Sequence, residues 1–176
     1  QFWHEQGLGS ICTSVNVVSQ QFQRGNLLEI VVRALVCTRL DPIALELEIT
    51  ESSFMEDRQI VCQTLEGLRT RGIKIALDDF GTGYSSLAHL KRFPLDILKI
   101  DKSFVDDIPQ NEDDKEIAAT IIAMGHTLRL KVLAEGVETK EQLDFLNSCG
   151  CDLYQGFYMS KPVPEEEFVK FLSYEN

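Results

Sequence analysis

The feature that most constrains the fold is a repeat of short apolar runs, each ending in polar residues and each followed by a longer segment of helical periodicity. Alternation and β-branched content predict strands at about Ile11 to Val18, Ala44 to Thr50, Ile73 to Asp79, Asp96 to Asp101, Lys131 to Glu135 and Cys151 to Gln155. The polar residues near their C-terminal ends are Asn16, Glu48, Asp78 with Asp79, Lys99, Glu135 and Gln155, spaced by 32, 30, 21, 36 and 20 residues. Each interval accommodates a crossover, so the strands run parallel. A ring of polar groups at strand C-termini is how a (β/α)8 barrel builds its site, whereas an open doubly wound sheet concentrates its site at one switch point and one glycine loop. The expectation is therefore α/β: a modified (β/α)8 TIM-like barrel with about six of its eight strands here and the N-terminal strands missing. The stretch "FWHEQGLG" reads as the tail of a helix stopped by glycine, and no initiator Met is present, so residues 1–176 are expected to be a single N-terminally incomplete domain.

The intervening helices have local signals. Ile117, Ile121, Met124 and Leu128 predict one apolar stripe on a helix from about Asp113 to Leu130, and "NEDDKE" suits a helix start whose acids face the positive end of the dipole. Thr139 with Gln142 is a capping box, Gly150 a stop, and Pro164 the first turn of a final helix carrying Phe168, Phe171 and Leu172. Cys12, Cys37, Cys62, Cys149 and Cys151 are odd in number and predict reduced core thiols, with the lone C-x-C at 149–151 read as packing. A net charge of -11 excludes a basic surface for a DNA or RNA polymer, and any anionic substrate must meet local cations. No run has the length of a membrane span and the start lacks a signal peptide, which predicts a cytoplasmic location, with any membrane anchor of a parent protein lying outside these residues.

The stretch "KIALDDFGTGYSSL" ends an apolar run in two adjacent carboxylates and passes into a glycine-rich loop, with Ser85 or Ser86 as a helix cap. Neighbouring anions at the end of a buried strand require a cation. Glu48, Asp78, Asp79 and Glu135, with the amide oxygen of Asn16, are predicted to converge at one mouth. Oxygen donors without His or Cys favour Mg2+, Mn2+ or Ca2+ over zinc. Asp78 and Asp79 start toward opposite faces of a strand, so both reach the mouth only where the strand bends, which the following glycines permit. An Asp78 bridging two ions gives a two-metal arrangement for in-line attack on a phosphodiester, and Lys99 in the same mouth holds the attacking water or offsets charge on phosphate. Singly, Glu46 or Glu48 reads as an exposed strand carboxylate and Lys99 as a solvated charge; their joint placement points to chemistry. His4, His89 and His126 share no metal-site spacing.

"SVNVVSQQF", "LELEITES", "IALDDFGTGYSSL", "LDILKIDKSFV", "VLAEGVET" and "CDLYQGFYMSKP", in this order from about Trp3 to Phe171, resemble the EAL domain of bacterial cyclic di-GMP phosphodiesterases. The resemblance implies hydrolysis of one phosphodiester of cyclic di-GMP to linear pGpG with Mg2+ or Mn2+, and inhibition by Ca2+. It implies that Asn16 and Glu48 bind the first metal, Asp78 bridges, and Asp79 binds the second. Lys99 contacts the lytic water, and Glu135 is second-metal ligand or general base. Glu51 organises the "DDFGTGYSS" loop, Gln155 lines the site and Glu138 supports it. It further implies a homodimer using Ser85 to Phe93 and accompanying sensor or diguanylate-cyclase-type domains. The Glu-Ala-Leu motif that names the family does not occur in these 176 residues, and the resemblance puts it, with one more metal-binding glutamate, upstream. Activity is accordingly expected of the full-length domain rather than of these residues alone. Two alternatives remain: a cyclic di-GMP receptor without turnover, and a regulatory dimerisation module.

Overall fold

A computed structural model describes residues 11–54, 58–81 and 90–173. The Ser85 and Ser86 caps, most of the 85–93 dimer surface, His4, His89 and the helix tail of residues 1–10 lie outside the described residues. Six strands form one sheet: β1 (Thr13–Val17), β2 (Leu45–Thr50), β3 (Lys74–Phe80), β4 (Ile97–Ile100), β5 (Lys131–Ala134) and β6 (Leu153–Tyr154). Every neighbouring pair is parallel and spatial order equals chain order. A doubly wound sheet reverses its order at a switch point, so this uninterrupted winding is that of a TIM-like barrel.

Helices α1 (Ser19–Gln23), α2 (Leu27–Thr38), α3 (Arg58–Arg69), α4 (Glu112–Thr127), α5 (Lys140–Ser148) and α6 (Glu165–Ser173) fill the crossovers and follow the last strand. Val61, Leu65 and Leu68 of α3 join Leu47, Ile49, Ile75 and Leu77 of the sheet in the core. Glu46 and Glu48 are buried as well, so β2 is covered on both faces. The stripe on α4 differs from the sequence expectation: Ile117 is exposed, and Ala118, Ile121, Ile122 and Gly125 make the buried face. Gly125 belongs to it because a Cβ there would collide with Val132 of β5, so the missing side chain sets how closely α4 approaches the sheet. All five cysteines are free, as expected, but none is a core residue: Cys12 and Cys37 are exposed and the other three partly buried. Among the described residues no helix is long and apolar enough to cross a membrane.

Two aspartates pin strands together at the end opposite the polar ring. Asp96, just before β4, donates its backbone N–H to Ile75 O at 2.9 Å, and its Oδ2 accepts from Ile75 N at 3.1 Å. Asp152, just before β6, repeats this on Val132, with distances of 3.1 and 2.8 Å, and also accepts from His126 Nε2 at 2.9 Å. Burial alone would push the Asp152 carboxyl up, but the Val132 amide and His126 outweigh it and hold the group below the usual carboxylate range. A depressed folded value contributes stability above the ordinary 3.8 and loses it as pH falls through the folded value. Asp152→Ala is expected to cost about 1–3 kcal/mol in urea unfolding at neutral pH, because the Val132 amide is left without a partner. That cost should shrink on acidification toward about pH 3; a pH-independent cost contradicts the assignment.

Candidate active site

Parallel register brings the polar residues to one face. Asn16 on β1 is the Cα partner of Glu48 on β2, and Thr50 is the partner of Asp78 on β3. Glu48 and Thr50 are two apart and share a face, so Asn16, Glu48 and Asp78 line up across three strands. The β3–β4 register then slips: Leu77 pairs with Leu98 but Phe80 with Ile100, leaving Asp78 and Asp79 opposite the single residue Lys99. This is a bulge, with two residues on one strand against one on its partner. Asp79 itself takes the turn, at φ 54° in the left-handed region that Asp tolerates better than most side chains. The bend therefore begins in the second carboxylate of the pair and continues at Gly81, whose φ of 104° is open to glycine.

Lys99 is the cation that the opening carboxylate pair requires. Its Nζ lies 2.7 Å from Glu135 Oε1, 2.9 Å from Glu48 Oε1 and 3.0 Å from Asp78 Oδ1, and the residue is 2% exposed. Burial by itself would lower the Lys99 ammonium, but its close contacts with the Glu135, Glu48 and Asp78 carboxylates more than reverse that and raise it above its ordinary value. Lys99 therefore stays protonated at any physiological pH. Burial pushes Asp79 up, reinforced by Asp78 and Asp101. Burial also pushes Glu135 up, a rise that Lys99 only partly offsets. One ammonium shared among three carboxylates, with Asp79 beside them, leaves the cluster short of positive charge.

The donors fit a divalent cation. Asp78, Asp79 and Glu135 each present a carboxylate oxygen, and these oxygens lie within 4.8 Å of one another. Asp78 Oδ1 is buried, and its contact with Lys99 lacks the direction of a hydrogen bond, so among the described residues it is an acceptor without a directed donor. All-oxygen donors of this kind suit hard cations.

The other sequence-predicted residues surround this cluster. Asn16 is exposed at the edge of the sheet, in register with Glu48. Glu51 is buried in the turn after β2, and its Oε2 has no hydrogen-bond partner among the described residues, which do not include residues 82–89 of the loop that the family resemblance has it organise. Gln155 is anchored after β6, donating N–H to Ala134 O at 2.8 Å and accepting from Val137 N at 3.1 Å, with an exposed side chain. Glu138 stands apart from the carboxylate cluster and pairs with Lys102 at 2.7 Å. Lys102 was not singled out in the sequence. Its stem lies against Gly136, at φ 69°, where a Cβ would collide with it, so the loops after β4 and β5 pack together.

The EAL domain family matches residues 1–162. The chain belongs to that family. It is 46% identical over 169 residues to cyclic di-GMP phosphodiesterase NbdA of Pseudomonas aeruginosa, covering 96% of this chain and 22% of that protein. It is 44% identical over 172 residues to signaling protein YkoW of Bacillus subtilis, covering 98% and 21%. The chain thus spans about a fifth of these relatives. Among solved EAL structures, the c-di-GMP complex of the PaMucR phosphodiesterase superposes with TM-score 0.89 at 42% identity, covering 95% of this chain and 68% of that one. The EAL domain of Mycobacterium smegmatis DcpA gives 0.92 at 38%, covering 98% and 78%. The manganese/cy-diGMP complex of Klebsiella pneumoniae BlrP1 gives 0.81 at 32%, covering 91% and 41%.

The raised carboxyls of the EAL cluster make a signed prediction. A raised folded value contributes stability that is fully present below the ordinary values, 3.8 for Asp79 and 4.5 for Glu135, and is lost as pH rises through the folded values. In chelator, the unfolding free energy of the wild type relative to Glu135→Gln is expected to decline across the pH window that opens above the ordinary value of 4.5, and saturating Mn2+ to remove the decline. A relative stability that rises across that window contradicts the cluster.

Proposed function

We propose that this chain is part of a metal-dependent phosphodiesterase that hydrolyses cyclic di-GMP to linear pGpG. The observation that carries the reading is the Lys99 cluster, which gathers Glu48, Asp78 and Glu135 around one buried ammonium beside Asp79. Membership of the EAL family, with relatives named as cyclic di-GMP phosphodiesterases, supports the substrate class.

In this reading Asn16 and Glu48 would hold a first ion, Asp79 and Glu135 would hold a second, and Asp78 would contribute to both. Mg2+ or Mn2+ held there supplies Lewis acidity at the phosphate, while Ca2+, with looser coordination, is expected to inhibit. Glu135 accepts a proton from the attacking water as its oxygen bonds to phosphorus and the P–O3′ bond breaks; the departing O3′ takes a proton from solvent, leaving a 3′-hydroxyl and a 5′-phosphate on the linear product. The raised Glu135 carboxyl makes it a better proton acceptor than an ordinary carboxylate. Lys99 cannot share that role because it stays protonated; it holds the water and balances charge developing on the phosphate oxygens. Glu51 organises the loop after β3, Gln155 lines the site and Glu138 supports the loop that carries Glu135.

The test is turnover of cyclic di-GMP by the full-length protein in Mn2+. Linear pGpG is expected, with Glu48→Ala lowering the rate at least about 100-fold and Ca2+ failing to replace Mn2+. Tight binding of the dinucleotide without product would instead make the chain a receptor.

A further inference from the structure

Gln142 enters the sequence reading only as the third residue of a capping box, and the structure bears that out: Thr139 Oγ1 accepts from Gln142 N at 3.2 Å. Its side chain does more than cap. The residue is 3% exposed, and burying an amide costs free energy unless its donors and acceptors are matched. Here they are matched on both sides. Oε1 accepts from Glu138 N at 2.7 Å and Thr139 N at 2.9 Å, while Nε2 donates to Val105 O at 3.0 Å and Asp106 O at 3.1 Å. Two N–H groups face the oxygen and two carbonyls face the nitrogen, which fixes the orientation of the amide.

These four bonds join two loops. Glu138 and Thr139 belong to the loop that leaves β5 directly after Glu135, and Val105 and Asp106 to the loop that leaves β4 shortly after Lys99. The Lys102–Glu138 pair and the packing of Lys102 against Gly136 link the same two loops, but that ion pair is solvent-exposed and contributes little. The buried amide is the directional tie. From this geometry we infer that Gln142 is a positioning residue that sets the separation of the β4 and β5 loops and thereby the Glu135–Lys99 contact. This rests on the phosphodiesterase reading, in which Glu135 and Lys99 act on the same water.

The test compares Gln142→Met, which keeps the length and loses the hydrogen bonds, with Gln142→Glu and with Leu146→Val, a buried change on α5 outside the network. Folding is verified by circular dichroism at the assay temperature, and both turnover and Mn2+ affinity are measured on the full-length protein. Gln142→Met is expected to lower kcat about 10- to 100-fold and weaken Mn2+ binding about 10-fold, with KM changed less than about threefold. Leu146→Val should leave kcat within about twofold. Turnover of Gln142→Glu relative to wild type should fall as pH rises, because the ionised carboxylate repels the Val105 and Asp106 carbonyls that a neutral acid satisfies in part. Gln142→Met matching wild type in both kcat and Mn2+ affinity overturns the inference, as does an equal loss in Leu146→Val. A wild type that binds Mn2+ without turnover removes the enzymatic reading instead, and the Mn2+ affinity of Gln142→Met then decides the positioning role on its own.

Discussion

The rest of this structure depends on one ammonium group held among carboxylates. Lys99 sits almost wholly inside the barrel mouth, and Glu48, Asp78 and Glu135 reach it from three different strands. Removing those charges from water is costly, and only short contacts in several directions offset the cost. The strands must therefore present their polar ends at one level. The regular parallel register from β1 to β3 puts Asn16, Glu48 and Asp78 on one face, and the β3–β4 bulge at Asp79 adds one more carboxylate without disturbing the apolar residues before it. A sheet with perfect register would have turned Asp79 away from the mouth.

The arrangement also explains a division of labour between the two ends of the strands. At the far end, Asp96 and Asp152 are spent on backbone amides and on Arg69 or His126, a purely structural use. At the mouth, acids face one another and are left partly short of partners, as the buried Asp78 Oδ1 shows. Stabilising pairs at the base and strained anions at the mouth are how a barrel separates what holds it together from what binds cations. The loops above β4 and β5 carry the connection between the two: Gln142 and Lys102 are structural in their contacts, yet both act where Lys99 and Glu135 leave the sheet.

Much of this was legible in the residues. Period-two alternation in "ALELEIT" located β2 within one residue and gave Glu46 and Glu48 a common face, and the capping box at Thr139 and Gln142 located the start of α5. The need for a cation beside Asp78 and Asp79 was legible too, but not that Lys99, read as a contact for water, would be that cation toward three partners. Local pattern does not encode register between strands 21 residues or more apart in the chain, which is why the bend permitted by the glycines is legible there but the bulge opposite Lys99 is not. The α4 stripe slipped by one position because Ile117 lies at the edge of the face that Ala118 and Gly125 present to the sheet, and small residues carry little hydrophobic signal. Gln142 showed its cap but not its second partner loop, since nothing near it in sequence announces Val105 and Asp106.

The charge deficit around Lys99 is proposed as a binding site for divalent cations. The most direct measurement is a crystal structure of the full-length protein grown with Mn2+, with data collected at the manganese absorption edge. Anomalous density is expected between Asp78, Asp79 and Glu135, with Lys99 still in the mouth. A well-ordered mouth without anomalous density, in which Lys99 alone satisfies Glu48, Asp78 and Glu135, would contradict it.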